Sequence, residues 1–568
     1  MLLQTLGMRY IHMVGKMTYK KLERASQNPL AWNTAFLLAR LKENANTEIG
    51  KKYNFKAVDS IEKFKAAVPL LTYDDYSDYI DRMKKGERNV LTKKAPACYA
   101  QTSGSIGNPK LIPVSDEAVA VIMNNEYLAH HCMAPLYKNS GAGYARSLLI
   151  ISYVDVKTLP SGVKTGDIAS MTIYKIKPFF SAMFTTPSCS VFANEFHDFF
   201  YAHARFSLIE KNLPCIGAAY MTDVFEFINY IIAHQDILFD DIEKGTIHEN
   251  IKISASIRSA LQKRITPDPA RARELRAIFA TGGHSGILKR IWPKLLLISA
   301  VGSASFQPYM ERVQEYAGDG VAFYHSFYAA SEGQMGMVTE MNSTKYNLLP
   351  HLMFYEFIPA EEMDKVNPET LTIDQLELGK EYEIVITNLS GLYRYRINDV
   401  VKVVGFLNKT PQVCFSYRKN QLINMAAEKT TYAQLESAVR ECARSLGIQI
   451  TEYAVYPDLR GNKGHYTLLL EADSLAVKGD AARVADMMHQ KLCEANPDIR
   501  FAQDGGLLGM TEVVFLQPQT FALHRDVMIM RGASRNQIKP VRLIDTPVKE
   551  KFFFALADKE EAPPTRPA

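Results

Sequence analysis

The 568-residue chain contains no apolar run long enough to cross a bilayer. Its strongest runs, SLLIISYV (147–154), KLLLISAVG (294–302) and FFFALA (552–557), fall well short of the ~20 residues a spanning helix needs. They read as buried strands or core segments. Blocks of like charge are also missing: 66 basic and 61 acidic residues are interspersed and leave a net charge of +5. That balance lacks the cationic face duplex nucleic acid selects, so nucleic acid is excluded as a partner. Cysteine is scarce. The seven residues (Cys98, Cys132, Cys189, Cys215, Cys414, Cys442, Cys493) are odd in number, widely spaced and without a CxxC pair, which excludes a disulfide framework or zinc ribbon and points to a reducing compartment. The first segment, MLLQTLGMRYIHMVGKMTYKK, is interrupted by Arg9 and Lys16 and lacks a small-residue cleavage site. The expectation is a soluble cytoplasmic protein with neither leader nor membrane anchor. No internal repeat is present.

A chain of this length divides into two or more domains. For about 410 residues apolar spacing alternates between helical and strand periods, which predicts an α/β fold. TYDDYSDYIDRMKKGE carries a capping-box pattern at Thr72 and Asp75 and a stop at Gly86, predicting a helix between them. The segment EYEIVITNLSGLYRYRINDVVKVVGF (381–406) gives three β-rich runs separated by Asn-Leu-Ser-Gly and Ile-Asn-Asp turns, an antiparallel meander. After FSYRKNQ (415–421) the texture changes to α-β-β-α-β: a helix capped by Thr431 and Gln434 and stopped by Gly447, strands around RGNKG, a helix over 480–495 and a strand at EVVFLQ. This predicts a large multi-sheet α/β domain over 1–418 and a small α+β domain over 419–568. The hinge falls near 417–424, and the charged, proline-rich end DKEEAPPTRPA (about 558–568) is expected to be a disordered tail.

Within YAQTSGSIGNPKLIPVS (99–115), Gly104 and Gly107 free the backbone to turn N–H groups toward an anion. Serine and threonine hydroxyls add donors, and Lys110 adds a point charge. The spacing is not that of P-loop nucleoside triphosphatases, and TSGSIG taken alone reads more often as a polar surface turn. The glycine cluster TGGHSG (281–286) lacks a nucleophile elbow and reads as an inter-element loop, with His284 structural or solvated.

TSGSIGNPK resembles the phosphate loop of the adenylate-forming superfamily, which includes firefly luciferase, acyl-coenzyme A synthetases and peptide-synthetase adenylation domains. YAASEG (328–333) resembles its Tyr-Gly-x-Thr/Ser-Glu motif, and GLYRYRINDVVKVVGF (391–406) its aspartate-containing strand motif. The wording of FKAAVPLLTYDDYSDYI (64–80), IWPKLLLISAVGSASFQPYM (291–310), LLPHLMFYEF (348–357) and RGASRNQIKPVR (531–542) is similar to the acyl acid amido synthetases, the auxin-responsive Gretchen Hagen family. The likeness runs from about residue 60 to 545.

The resemblance implies an ATP- and Mg²⁺-dependent ligase. It converts a small carboxylic acid to an acyl-adenylate and passes the acyl group to an amine, an amino acid in that family. Ser103, Gly104 and Ser105 would cradle phosphates with Lys110 at the loop's end. Tyr328 would lie against adenine, Ser331 near the α-phosphate, and Glu332 would hold Mg²⁺, a hard cation that prefers oxygen ligands. Asp399, expected in a tight turn, would accept the ribose hydroxyls. Arg418 would contact nucleotide and Lys419 would serve the hinge. Lys539, with Glu332, is assigned to catalysis, reaching phosphate when the small domain closes. The acyl pocket is expected within 120–230, where MTIYKIKPFF, MFTTPS and CIGAAYMTDVFEF supply methionine and aromatic residues; such a stripe is more often plain core than pocket.

Three positions depart from the pattern. Ile106 replaces a hydroxyl residue in the loop, Asn398 replaces the glycine before the motif aspartate, and Gln519 in LQPQTFAL (516–523) replaces a glycine of the family's acceptor region. Asparagine tolerates left-handed φ, so the second change is expected to be silent. The others leave open a non-catalytic relative that binds nucleotide or acyl ligand; among enzymes the alternative is transfer to a thiol such as coenzyme A.

Overall fold

In a computed structural model of the chain, the described residues are 2–102, 110–138, 140, 145–152, 154–193, 198–303, 306–363, 365, 367–419, 423, 425, 428, 430–458, 464–472, 480–504, 508–531, 533, 535 and 538–558. Two compact units emerge, one from 1–397 with 401–415, the other from 398–400 with 416–568. The expected tail beyond Asp558 lies outside the described residues.

The first unit opens with helices α1 (Leu2–Gln27) and α2 (Pro29–Asn44), followed later by α3 (Tyr73–Lys84), α4 (Asp116–Lys138) and α5 (Met221–Ala233). Asn28 caps α2 by accepting from the Ala31 N–H, and Pro29 stands at its first position, where a missing N–H costs nothing. The helix predicted after Thr72 is α3. The Thr72 backbone N–H and hydroxyl both donate to the Asp75 carboxylate at 2.8 and 2.9 Å, and Gly86 follows at φ +99°. Its inner face buries Tyr76, Ile80 and Met83.

Strands β1 (Cys98–Gln101), β2 (Leu111–Val114), β3 (Leu148–Ile150), β4 (Val156–Thr158), β5 (Lys164–Gly166), β6 (Cys215–Tyr220), β7 (Leu297–Val301) and β8 (Ala322–Tyr324) form two four-stranded sheets. One has the order β2-β1-β5-β4. The other, β3-β6-β7-β8, is parallel throughout; a parallel sheet is covered on both faces and draws on unbroken apolar runs. SLLIISYV and KLLLISAVG supply two of its strands, as expected. Strands β9 (Phe327–Ala330), β10 (Gly333–Met337), β11 (Tyr346–Leu348), β12 (Phe354–Pro359), β13 (Glu381–Thr387), β14 (Tyr395–Leu407) and β15 (Thr410–Arg418) make a seven-stranded sheet of order β12-β13-β14-β15-β11-β10-β9. One core packs α2, α3 and this sheet together, and a second lies on the parallel sheet around Phe227, Trp292 and Ile298.

The second unit contains α6 (Tyr432–Leu446), β16 (Ile450–Asp458), β17 (His465–Ala472), α7 (Ala481–Ala495), α8 (Pro497–Asp504), β18 (Glu512–Phe515), α9 (Thr520–Met530) and α10 (Pro547–Ala555). Its sheet runs β16-β17-β18, the first pair antiparallel and the second parallel. Thr431 caps α6 by accepting from the Gln434 N–H, and Gly447 ends it at φ +64°, as the sequence predicts.

One local reading differs from the structure, and one left between strand and core segment is decided by it: FFFALA is a core segment, Phe553 joining a buried cluster against which Phe552 and Phe554 pack. FFFALA is helical: Thr546 caps α10 by accepting from the Lys549 N–H, Pro547 opens it, and only Phe553 of its three phenylalanines is completely buried. The cap and proline outweigh the β-rich appearance of the run. Ile397-Asn398-Asp399 is not a turn. It lies inside the continuous strand β14, with Asn398 at φ +63°, so a left-handed asparagine absorbs a local kink without ending the strand.

Candidate functional site

The predicted site residues gather in two groups, one in each unit. The first is built on the β9–β10 hairpin, whose register pairs Ala330 with Gly333 and leaves Ser331 and Glu332 in the connecting turn. Gly333 sits at φ +148°, and a Cβ there would meet the Met353 side chain at 2.9 Å; glycine therefore permits the chain to turn directly after Glu332. The Ser331 hydroxyl donates to the Gln101 carbonyl at 3.3 Å. Gln101 is the last residue of β1, so the hairpin is tied to the strand end from which the predicted phosphate loop departs.

At the base of that loop the Thr102 N–H donates to the Lys110 carbonyl at 2.9 Å. Ser103, Gly104 and Ser105, with Ile106, lie outside the described residues. Lys110 holds its ammonium 4.8 Å from the centre of the Tyr73 ring, a cation–π contact. Tyr328 on β9 is buried against Tyr346 and Phe415, with ring centroids at 5.9 and 6.4 Å.

Glu332 is half-buried and held at both ends. Asn388 Nδ2 donates to its backbone carbonyl at 2.8 Å, and the Tyr395 hydroxyl donates to its carboxylate Oε1 at 3.2 Å. Neither partner was singled out from the sequence, although both lie in motif segments quoted for other residues. Among the described residues no cluster of three or more His, Cys, Asp or Glu side chains could bind a metal ion. A single carboxylate at the end of a strand instead suits Mg²⁺, which takes one or two carboxylates and completes its shell with water and substrate phosphate.

The second group contains Asp399, Arg418 and Lys539. Asp399 is almost wholly buried, and Arg418 Nε donates to its Oδ1 at 2.6 Å. Loss of solvation lowers the pKa of the Lys539 ammonium, the Arg418 guanidinium lowers it further, and Asp399 acts in the opposite sense. The three charges therefore lie within electrostatic reach of one another, although the Lys539 residue as a whole keeps an exposed surface. Lys419 follows directly on β15.

The segments expected to line an acyl pocket divide. Phe180 packs at 4.8 Å from Phe184 and 5.4 Å from Phe192 in a small core, and Met221, Val224 and Phe227 are fully buried; these are core. Tyr220, at the end of β6, keeps some exposed surface and stacks on Phe306 at 4.6 Å with ring planes 10° apart. On α4, burial pushes the Glu126 carboxyl up to about 7 and lowers the pKa of His130 one turn on. In TGGHSG all three glycines have left-handed φ and His284 is exposed, consistent with a loop.

Comparison with known proteins gives matches along most of the chain. The model of the GH3 family N-terminal domain matches residues 18–322, that of the GH3 family central domain 346–418, and that of the GH3 family C-terminal domain 433–548. The chain is 28% identical over 537 residues to an indole-3-acetic acid-amido synthetase, GH3.8, of Oryza sativa subsp. indica, covering 89% of this chain and 87% of that protein. It is 25% identical over 530 residues to the jasmonoyl-L-amino acid synthetase JAR4 of Nicotiana attenuata, covering 89% of each. Among solved structures, GH3.15 acyl acid amido synthetase has the same fold, with a TM-score of 0.83 at 24% identity over 95% of this chain and 96% of that one.

Proposed function

The chain belongs to the GH3 family, and on that premise we propose that it is an ATP-dependent acyl acid amido synthetase that activates a small carboxylic acid as its adenylate and transfers the acyl group to an amino acid. The observation that carries this reading is the bond from Ser331 to Gln101, which joins the acidic hairpin turn to the mouth of the glycine- and serine-rich loop. Polyphosphate needs both, donors for its oxygens and a carboxylate for its counter-cation.

An amide cannot form directly from a carboxylate because oxide is a poor leaving group. Attack of the carboxylate oxygen on the α-phosphorus of ATP expels pyrophosphate and leaves an acyl-adenylate, which an amine opens with AMP departing. In this reading Ser103, Gly104, Ser105 and Lys110 bind phosphate oxygens, Ser331 lies beside the α-phosphate, and Tyr328 supports the adenine. Asp399 accepts the ribose hydroxyls with Arg418 beside it. Lys539 stabilises the charge that develops on the phosphates as the α-phosphorus is attacked. Glu332 would hold Mg²⁺, which when bound offsets negative charge on the triphosphate.

Residues 1–418 are assigned to ATP and acid binding and 419–568 to the smaller domain that contributes Lys539. The relatives named for indole-3-acetic acid and jasmonoyl conjugation favour an amino acid over a thiol as acceptor. The described cysteines are free and no helix among the described residues is long and apolar enough to cross a membrane; both suit a cytoplasmic enzyme.

The test is ATP–pyrophosphate exchange across a panel of aryl and aliphatic acids, followed by product analysis with amino acids and with coenzyme A. An acid-dependent exchange and an amide product are expected. A thioester would redirect the acceptor assignment. Nucleotide binding without exchange for any acid would overturn the enzyme reading.

A further inference from the structure

The Tyr395 hydroxyl, which the reaction as derived above does not use, ends on one oxygen of Glu332. We infer that Tyr395 is a positioning residue for the metal-binding carboxylate, fixing the orientation of Glu332 before the cation arrives; this rests on the reading of Glu332 as the Mg²⁺ ligand. A glutamate side chain has several rotatable bonds, and a ligand left free to rotate must lose that freedom on binding. Residues that hydrogen-bond to metal ligands remove that cost and fix the geometry in advance.

The observation behind the inference is the rigidity of what lies behind the hydroxyl. Tyr395 is 5% exposed, so its ring is clamped. Its backbone is bridged to Leu71: the Leu71 N–H donates to the Arg394 carbonyl at 2.9 Å, and the Arg396 N–H donates to the Leu71 carbonyl at 2.8 Å. Its ring stands edge-on to Tyr76 at 6.1 Å. The Tyr76 hydroxyl in turn donates to the Tyr393 carbonyl at 2.6 Å and accepts from the Tyr393 N–H at 2.8 Å.

Arg394, next in sequence, is held at φ +46°, a conformation an arginine adopts only when its surroundings impose it. Its guanidinium donates to both oxygens of Glu356 at 2.9 to 3.1 Å, to the carbonyls of Lys65 and Val68 at 3.0 and 2.7 Å, and to the Thr370 hydroxyl at 3.2 Å. Both partners of that ion pair are buried. Glu332 is fixed from the other side through Asn388 and through Ser331 on Gln101. Phenylalanine would fill the same space as Tyr395, so packing alone gives the hydroxyl no purpose.

The experiment measures Mn²⁺ binding by calorimetry to the full chain saturated with an ATP analogue that cannot be cleaved between the α- and β-phosphates. Tyr395→Phe is expected to weaken Mn²⁺ about tenfold while leaving the melting temperature and metal-free binding of the analogue unchanged. Glu332→Gln should weaken Mn²⁺ more strongly, and in that background Tyr395→Phe should have no further effect, because the two residues act as one unit. Wild-type Mn²⁺ affinity in Tyr395→Phe, an undiminished effect in the Glu332→Gln background, or a loss of affinity that comes with a lowered melting temperature would each overturn the positioning role. Unchanged affinity in Glu332→Gln itself would overturn the metal-ligand reading instead.

Discussion

Arg418 Nε and Asp399 Oδ1 stand 2.6 Å apart, and the aspartate side chain of that pair is almost entirely removed from solvent. A buried carboxylate held by a guanidinium is an acceptor of fixed direction, which is what recognition of two vicinal hydroxyls requires. Asp399→Asn replaces one acceptor oxygen by a donor and removes the carboxylate charge that Arg418 Nε faces. Since hydrogen bonds to charged groups contribute ~1.5–3 kcal/mol, the KM for ATP in pyrophosphate exchange should rise about tenfold to a hundredfold. The KM for the acid should hardly move. Equal changes in both constants would point to a general disturbance of the fold and against a ribose contact.

Lys539 leads to a complementary prediction on kcat. Its ammonium is partly desolvated and lies within reach of Arg418 and Asp399, so two positive side chains converge where Asp399 supplies negative charge. Removing one electrostatic stabiliser of a transition state typically costs ~10²–10³ in rate. Lys539→Ala should lower the exchange rate on that scale while equilibrium binding of the acid persists, and Lys539→Arg should recover only part of it because the guanidinium is a planar fork and not a compact charge. Exchange at the wild-type rate in Lys539→Ala would remove this residue from the chemistry.

Much of this architecture was legible because its signals are local. The capping pattern at Thr72 and Asp75, the Thr431–Gln434–Gly447 helix frame and the apolar strands of the parallel sheet each rest on residues close in sequence. The reading that differed, and the one that stayed open between strand and core segment, were also local but ambiguous. Ile-Asn-Asp has turn composition, yet one left-handed asparagine lets β14 run on through it; FFFALA has strand composition, yet Thr546 and Pro547 start a helix before it. The partners of Glu332 were not legible at all. Tyr395 and Asn388 lie 63 and 56 residues away in sequence, and only the packing of the seven-stranded sheet with α3 brings them to the carboxylate.

Gln519 shows a departure from the family pattern acquiring a structural meaning. The glycine it replaces would be free to adopt positive φ, and Gln519 is held at φ +66° at the start of α9. The Glu471 carboxylate compensates by accepting from the Gln519 and Phe521 N–H groups at 2.6 and 3.3 Å. A left-handed non-glycine residue costs ~1–2 kcal/mol, of which glycine's greater freedom in the unfolded chain returns a part. Gln519→Gly should therefore stabilise the protein by about 0.5–1 kcal/mol, read as a higher urea midpoint at unchanged slope. Glu471→Gln should lower that midpoint, since it weakens the carboxylate cap. A destabilised Gln519→Gly would mean that the glutamine side chain makes a contribution larger than the strain it bears.

Glu126 gives the protein a pH dependence whose direction follows from burial. Its carboxyl, on α4 and within electrostatic reach of Tyr324, is pushed up to about 7 from an ordinary value of 4.5. Between those two values the unfolded chain has released this proton while the folded chain still holds it, so raising the pH through the window favours unfolding. The contribution is a loss of stability that begins near pH 4.5 and is complete above pH 7. Glu126→Gln carries no titrating proton and removes the slope, so its melting temperature should exceed that of the wild type by more at pH 8 than at pH 5.5. A constant difference across that range would show that the Glu126 carboxyl ionises as it does in water, through solvation or a cationic partner in solution.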